Sequence, residues 1–223
     1  QPYPEYKDSG VEWIGEVPAH WEVKKLPHVI RSSNSGEVID KGYWGSGDEI
    51  LYTCSRESYD CNFPNFPNHK RTVLGDLLLT RNGTPYIHEP VTGAIYTNVI
   101  QRIRPSKSVE SKFLAHVLRC ASVSIISYGV SIESLNFSMW SSLRFPLPPK
   151  CEQDTIVSWV HCETTRIDTL IEKTRESIEL LKERRSALIT AAVTGKIDVR
   201  DWQPPQPLSD TEFSTKTLQE AAL

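Results

Sequence analysis

No stretch of the chain approaches the roughly 20 consecutive apolar residues that a membrane-spanning helix needs. The opening, Gln1 to Gly10, is polar and has no apolar signal core, so membrane and secretory classes drop out. Cysteine is scarce and odd in number: the five are too far apart for a disulfide framework, which points to a reduced, cytoplasmic protein. They do not build a zinc site either. Cys54 and Cys61 are seven apart, Cys120 and Cys151 stand alone, and His161-Cys162 lacks a partner pair at metal-ligand spacing. No G-x-S-x-G, phosphate-loop or H-E-x-x-H string occurs, so neither catalytic residues nor a cofactor are expected in this chain. Met is nearly absent, and Gln1 in place of an initiator Met implies residues upstream in the natural protein.

What is present fits a folded chain. Hydrophobic residues make up 39% and charged residues 24% of 223, close to the globular average. Lys and Arg number 25 against 28 Asp and Glu, but the acids crowd the two ends. Residues 20–150 carry fifteen basic against eleven acidic side chains, an excess that permits a phosphate-facing surface without requiring one. Gly75-Asp76-Leu77-Leu78-Leu79-Thr80-Arg81-Asn82-Gly83-Thr84 reads as turn, buried strand and turn, and Gly93 to Ile103 as one β-branched strand. Gly42-Tyr43-Trp44-Gly45-Ser46-Gly47 lacks nucleotide-loop spacing and reads as a loop. Ser111 to Ser127 has helical periodicity. The class is therefore α+β, mainly β, over residues 1–148.

Beyond Phe145-Pro146-Leu147-Pro148-Pro149 no Gly or Pro occurs until Gly195. A helix is predicted from about Glu152 to Val193, with acids in its first turn and Gly195 at its C-cap. Val160, Ile167, Thr174, Leu181 and Leu188 recur every seven, and Ile171 and Ile178 interleave, which makes a coiled-coil seam that wants a partner helix. The competing reading is one amphipathic helix lying across its own domain. Residues 149–200 are assigned to this spacer and pairing helix, and the Pro-rich, polar stretch 201–223 to a flexible tail.

Loops rich in donors and aromatics separate the strands. Lys41, Trp44, Ser55, Arg56, Tyr59, Lys70, Arg71, Arg81, Asn82, Thr84 and Tyr86 carry the side chains that hydrogen-bond to base edges or fix register on phosphates. Each loop taken singly reads equally well as an ordinary solvated turn. Two other classes stay open: a nuclease or DNA-modifying enzyme using Asp76, Glu110 and Lys112, and a coiled-coil adaptor that binds only protein.

Two long strings carry a family resemblance. Tyr6-Lys7-Asp8-Ser9-Gly10-Val11-Glu12-Trp13-Ile14-Gly15-Glu16-Val17-Pro18-Ala19-His20-Trp21-Glu22-Val23 resembles the opening of a target-recognition unit in the specificity subunit of type I restriction-modification enzymes. Leu147-Pro148-Pro149, Glu152-Gln153 with Ile156, Ile167-Asp168, Leu181 to Arg185 and Ala192 to Asp198 are similar to that family's helical region. The resemblance implies a non-catalytic reader of one half of a bipartite double-stranded DNA target. It also implies separate modification (methyltransferase) subunits, which supply S-adenosylmethionine and adenine methylation, and restriction subunits. Such proteins usually carry two recognition domains and two antiparallel helices, whereas this chain has one of each. The expected partner is a second copy or the missing half of a longer subunit, and the short stretch after Gly195 to Trp202 looks like a true C-terminus.

Overall fold

The computed structural model describes residues 2–127 and 137–203. The chain divides into Gln1–Glu163 and Thr164–Leu223.

The first unit is built mainly of short strands. Strands β1 (Tyr6–Asp8) and β2 (Glu16–Pro18) form an antiparallel hairpin, followed by β3 (Glu22–Lys25) and β4 (Ile30–Ser35). Next come β5 (Trp44–Tyr52), β6 (Tyr59–Cys61), β7 (Leu77–Thr80), β8 (Ile87–His88), β9 (Ile95–Tyr96) and β10 (Ile100–Pro105). Helix α1 (Ser111–Ser127), helix α2 (Phe137–Ser142) and strand β11 (Arg144–Leu147) lead into the long helix α3 (Lys150–Val193). The larger sheet has the order β4-β10-β7-β8, a second sheet has β6-β5-β9, and β3 pairs with β11.

Strand β7 shows why the sequence carries an unbroken Leu run. Successive strand residues point to opposite faces. Leu77 and Leu79 enter a core with Leu26, Val29, Phe113, Leu114, Leu118, Trp140 and Phe145, while Leu78 enters a second core with Leu51, Ile95, Tyr96 and Ile100. Both faces are dry, so both parities must be apolar. Each such side chain contributes roughly 1.5–3 kcal/mol through burial. Trp140 satisfies its buried indole N–H by donating to the Thr80 carbonyl at 2.9 Å.

Two local expectations need correction. The run Gly93 to Ile103 is two strands, because Ile100 N–H closes a turn onto the Thr97 carbonyl (3.0 Å) and the chain changes sheets there. β9 pairs parallel with β5, and β10 pairs antiparallel with β4 and β7. The Gly42–Gly47 stretch is a 3-10 turn (Lys41–Tyr43) and then the start of β5, not a plain loop. Its register jumps so that Trp44 and Glu49 both oppose Cys61, leaving residues 45–48 as a bulge. Gly47 sits there at φ 113°, and a Cβ would lie 2.5 Å from the Cys61 carbonyl oxygen.

Helix α3 spans 44 residues, about 66 Å at 1.5 Å per residue. The Pro149 carbonyl accepts from Gln153 N–H at 3.1 Å and opens it. Gly195, at φ 71°, and Lys196 close it by donating to the Ala192 and Ala191 carbonyls. In the unit Thr164–Leu223, Ile167, Ile171, Ile178, Leu181 and Leu188 stand exposed, and Glu172–Arg175 and Glu179–Lys182 pair along the surface. Residues 204–223 of the expected flexible tail lie outside the described residues.

Candidate nucleic-acid interface

The two strings that carry the family resemblance meet where α3 begins. The Glu152 carboxylate accepts from the Trp21 indole N–H (2.9 Å) and the Tyr3 hydroxyl (3.1 Å), and pairs with His20 at 2.7 Å. Partial burial alone would push Glu152 up, but the hydrogen bonds from Trp21, His20 and Tyr3 outweigh it and hold the carboxyl below its usual range. Gln153 is buried beside it. Its amide accepts from Glu110 N–H (2.7 Å) and donates to the carbonyls of Pro148 (2.8 Å) and Ser108 (3.2 Å). One glutamine thus ties the strand before the helix to the loop before α1.

The candidate DNA-contacting side chains fall into three groups. In the first, Arg56 on the β5–β6 loop places its guanidinium 5.7 Å from the ring centre of Tyr86, which ends the β7–β8 loop. Tyr86 and Tyr52 lie edge-on to His88, with ring centres 4.7 and 5.2 Å away. Together with Ser58, Glu89 and Arg119 these residues line an open concavity of about 550 Å³. Burial drives His88 down to about 4, so its imidazole is neutral at physiological pH. Ser55 shapes the β5–β6 loop: its N–H donates to Thr53 Oγ1 (3.0 Å), and its hydroxyl accepts from Glu57 N–H. Asn82 and Thr84 stand exposed on the facing loop.

In the second group, Trp44 and Tyr59 stack on one another at 5.4 Å, with Lys41 exposed on the turn before them. The third group is committed within the fold. Arg71 donates through both terminal nitrogens to Glu49 (2.6 and 2.7 Å) and to the Gly93 carbonyl (2.7 Å), and these bonds hold Glu49 below its usual range. Lys70 pairs with Glu37. Arg81 donates to Ser35 Oγ (3.1 Å) and the Asn98 carbonyl (3.2 Å). The structure therefore brings Arg56, Asn82, Thr84 and Tyr86 together on two adjoining loops, and uses Lys70, Arg71 and Arg81 to brace others.

The nuclease constellation does not form. Asp76 is fully buried, and its oxygens accept from Arg104 (2.7 and 3.0 Å), Arg102 (3.3 Å) and the Val73 N–H (2.9 Å). A carboxylate buried beneath two guanidinium groups is not open to a metal or a water. Glu110 is paired with Lys150. Among the described residues, no three His, Cys, Asp or Glu side chains gather into a metal site, and no helix is long and apolar enough to cross a membrane.

A mainly β unit with two adjoining loops rich in donors and aromatics, followed by an uninterrupted helix with an exposed seam, defines the class, and comparison with known proteins agrees. The type I restriction modification DNA specificity domain model matches residues 18–180. The chain belongs to that family. It is 26% identical over 109 residues to the type I restriction enzyme EcoKI specificity subunit of Escherichia coli K12, covering 47% of this chain and 23% of that one. A chain from a solved type I R-M system superposes with a TM-score of 0.64 at 16% identity, over 84% of this chain and 48% of the other. The HsdS subunit from Thermoanaerobacter tengcongensis gives 0.57 at 16% identity, over 86% and 48%. The matched segments thus cover about half the length of those two solved chains and about a quarter of the EcoKI subunit.

Proposed function

We propose that this chain reads one half of a bipartite double-stranded DNA target for a type I restriction-modification system and scaffolds its catalytic subunits. The match of the specificity-domain model across residues 18–180 carries this reading. The geometry supports it: Arg56, Asn82, Thr84 and Tyr86 offer guanidinium, amide, hydroxyl and aromatic groups on adjoining loops, the set that contacts base edges and backbone. Lys41, Trp44 and Tyr59 extend the surface. Lys70, Arg71 and Arg81 contribute through positive charge and by holding the loops. This chain performs no bond-making step. Adenine methylation from S-adenosylmethionine belongs to a modification subunit, cleavage to restriction subunits, and the assembly works in the cytoplasm. The second recognition unit and second helix come from a second copy of this chain or from the other half of a longer subunit.

Titration of labelled duplex DNA at graded salt, with the chain alone and with the modification subunit, tests the reading. Binding that weakens linearly in log salt is expected, without turnover by the chain alone. Arg56→Ala should cost about 1–3 kcal/mol of discrimination at one base pair if Arg56 reads a base edge, and should weaken all sequences alike if it touches phosphate. Unchanged binding in the alanine variants of Arg56, Lys70, Arg71 and Arg81 together, or magnesium-dependent cutting by the chain alone, overturns the proposal.

A further inference from the structure

Four charged side chains line the concavity of about 550 Å³: Arg56, Glu57, Glu89 and Arg119. Two of them are already joined, since Arg119 donates to Glu89 at 2.7 Å and to the Ile87 carbonyl at 3.4 Å. Arg56 and Glu57 are exposed neighbours on the β5–β6 loop. Among the described residues no hydrogen bond or ion pair engages the Arg56 guanidinium or the Glu57 carboxylate.

Arg56 is nonetheless held in place. Its guanidinium carbon lies over the Tyr86 ring, 5.7 Å from the centre. Tyr86 is fixed in turn: its N–H donates to Thr80 Oγ1 at 2.9 Å, and its ring packs edge-on to the buried His88. Attraction to an aromatic ring needs no acceptor atom, so the five N–H donors of the guanidinium remain available.

Charge and geometry decide what such a pair recognises. A phosphate is disfavoured, because the four charges around the concavity sum to zero and the Glu57 carboxylate next to Arg56 repels an anion. A base edge suits both groups. In the major groove a G·C pair presents guanine N7 and O6, two acceptors, and then the amino donor of cytosine. A planar guanidinium takes both acceptors in one bidentate contact, and a carboxylate accepts from the amino group. An A·T pair sets an amino donor beside adenine N7 and a methyl group at its far end, which leaves the guanidinium half-paired and the carboxylate without a partner.

We propose that Arg56 and Glu57 read a G·C base pair, Arg56 on guanine O6 and N7 and Glu57 on the cytosine amino group, with Tyr86 as the positioning residue for Arg56. This rests on the DNA-reading function proposed above and names the base pair that the β5–β6 loop selects.

The test is selection from a library of randomised duplexes by the chain with the modification subunit, followed by sequencing of the bound fraction. Wild type should enrich a motif with a guanine whose preference falls by about tenfold or more in Arg56→Ala, the rest of the motif staying intact. Glu57→Ala should relax the same position. Replacing that guanine by 7-deazaguanine removes N7 and keeps the Watson–Crick pair, so it should weaken binding by wild type and leave Arg56→Ala unaffected. Tyr86→Leu should relax the position too, whereas Tyr86→Phe keeps the ring and should retain the preference even where loss of the hydroxyl lowers affinity. Circular dichroism verifies that each variant is folded. An Arg56→Ala chain that loses no position, or loses one other than G·C, refutes this inference alone, as does a wild type indifferent to 7-deazaguanine. So does an Arg56→Ala chain that binds all sequences more weakly alike, which marks a phosphate contact. A wild type that selects no sequence refutes the proposed function, and this inference falls with it.

Discussion

Replacing Asp76 by Asn separates a structural carboxylate from a catalytic one. The change preserves shape, but it removes the charge and presents an NH₂ group where a guanidinium donor already points. Asp76 balances Arg104, which is 30% exposed at its side chain and can relax toward water, and Arg102, which is 2% exposed and cannot. The cost therefore falls on Arg102, left as a buried cation without a counter-charge. Breaking such a buried pair costs about 3–5 kcal/mol, a large share of the roughly 5–15 kcal/mol that holds a domain folded. Urea unfolding followed by far-ultraviolet circular dichroism measures it. Adding Arg102→Met to Asp76→Asn should recover much of the loss, since the orphaned charge goes too, and the coupling between the two changes reports the pair directly. An Asp76→Asn protein that unfolds at the wild-type urea midpoint refutes the reasoning. So does one that keeps full stability while the assembled enzyme loses activity.

Three further perturbations follow from the same geometry. Gln153→Leu leaves the Glu110 N–H and the Pro148 and Ser108 carbonyls without their partner, and thermal or urea unfolding should show a loss of about 3 kcal/mol. Gly36→Ala puts a methyl 2.1 Å from the Tyr96 carbonyl oxygen and 2.4 Å from that of Thr97, so backbone must move; a loss of about 2 kcal/mol is expected, and a neutral effect contradicts the close approach. His88 titrates near 4 when folded and near 6.5 when unfolded, so below pH 6.5 the unfolded state binds the extra proton. Stability should then fall by roughly 3 kcal/mol between pH 6.5 and 4 from this group, at about 1.4 kcal/mol per unit, and His88→Phe should flatten that part of the profile.

The long helix and the buried β7 were legible because their signals are local. A run without Gly or Pro, an apolar repeat of seven and a C-terminal Gly need no knowledge of partners, and three adjacent Leu between turn residues state that both faces are covered. The break inside Gly93–Ile103 was not legible, because Thr97-Asn98 is a weak turn signal within a β-branched run, and the change of sheet depends on strands far away in sequence. The ion pairs of the loops were hidden for the same reason. Arg71 finds Glu49 22 residues away, and Lys70 finds Glu37 33 away. Asp76 stood out as an acid near a turn, and only its burial beside Arg102 and Arg104 gives it a bracing role. Glu152 and Gln153 were legible as parts of a motif, but their hold on His20, Trp21 and the loop at Ser108 crosses 43 or more residues.

The pairing of β3 with β11 has a consequence for how new specificities arise. Lys25 and Arg144 face each other across one strand spacing, about 5 Å, so the recognition segment between them leaves the scaffold and re-enters it at nearly the same point. To the rest of the chain that segment is a plug with two adjacent pins. Another plug whose ends abut closes the same socket if it also offers Gln153 a backbone N–H and carbonyl as Glu110 and Ser108 do, while Trp21 and Glu152 stay joined outside it. On the proposed function, recombination inside the two bordering strings exchanges the whole segment at once, and the new one has only its two ends and the Gln153 contacts to satisfy.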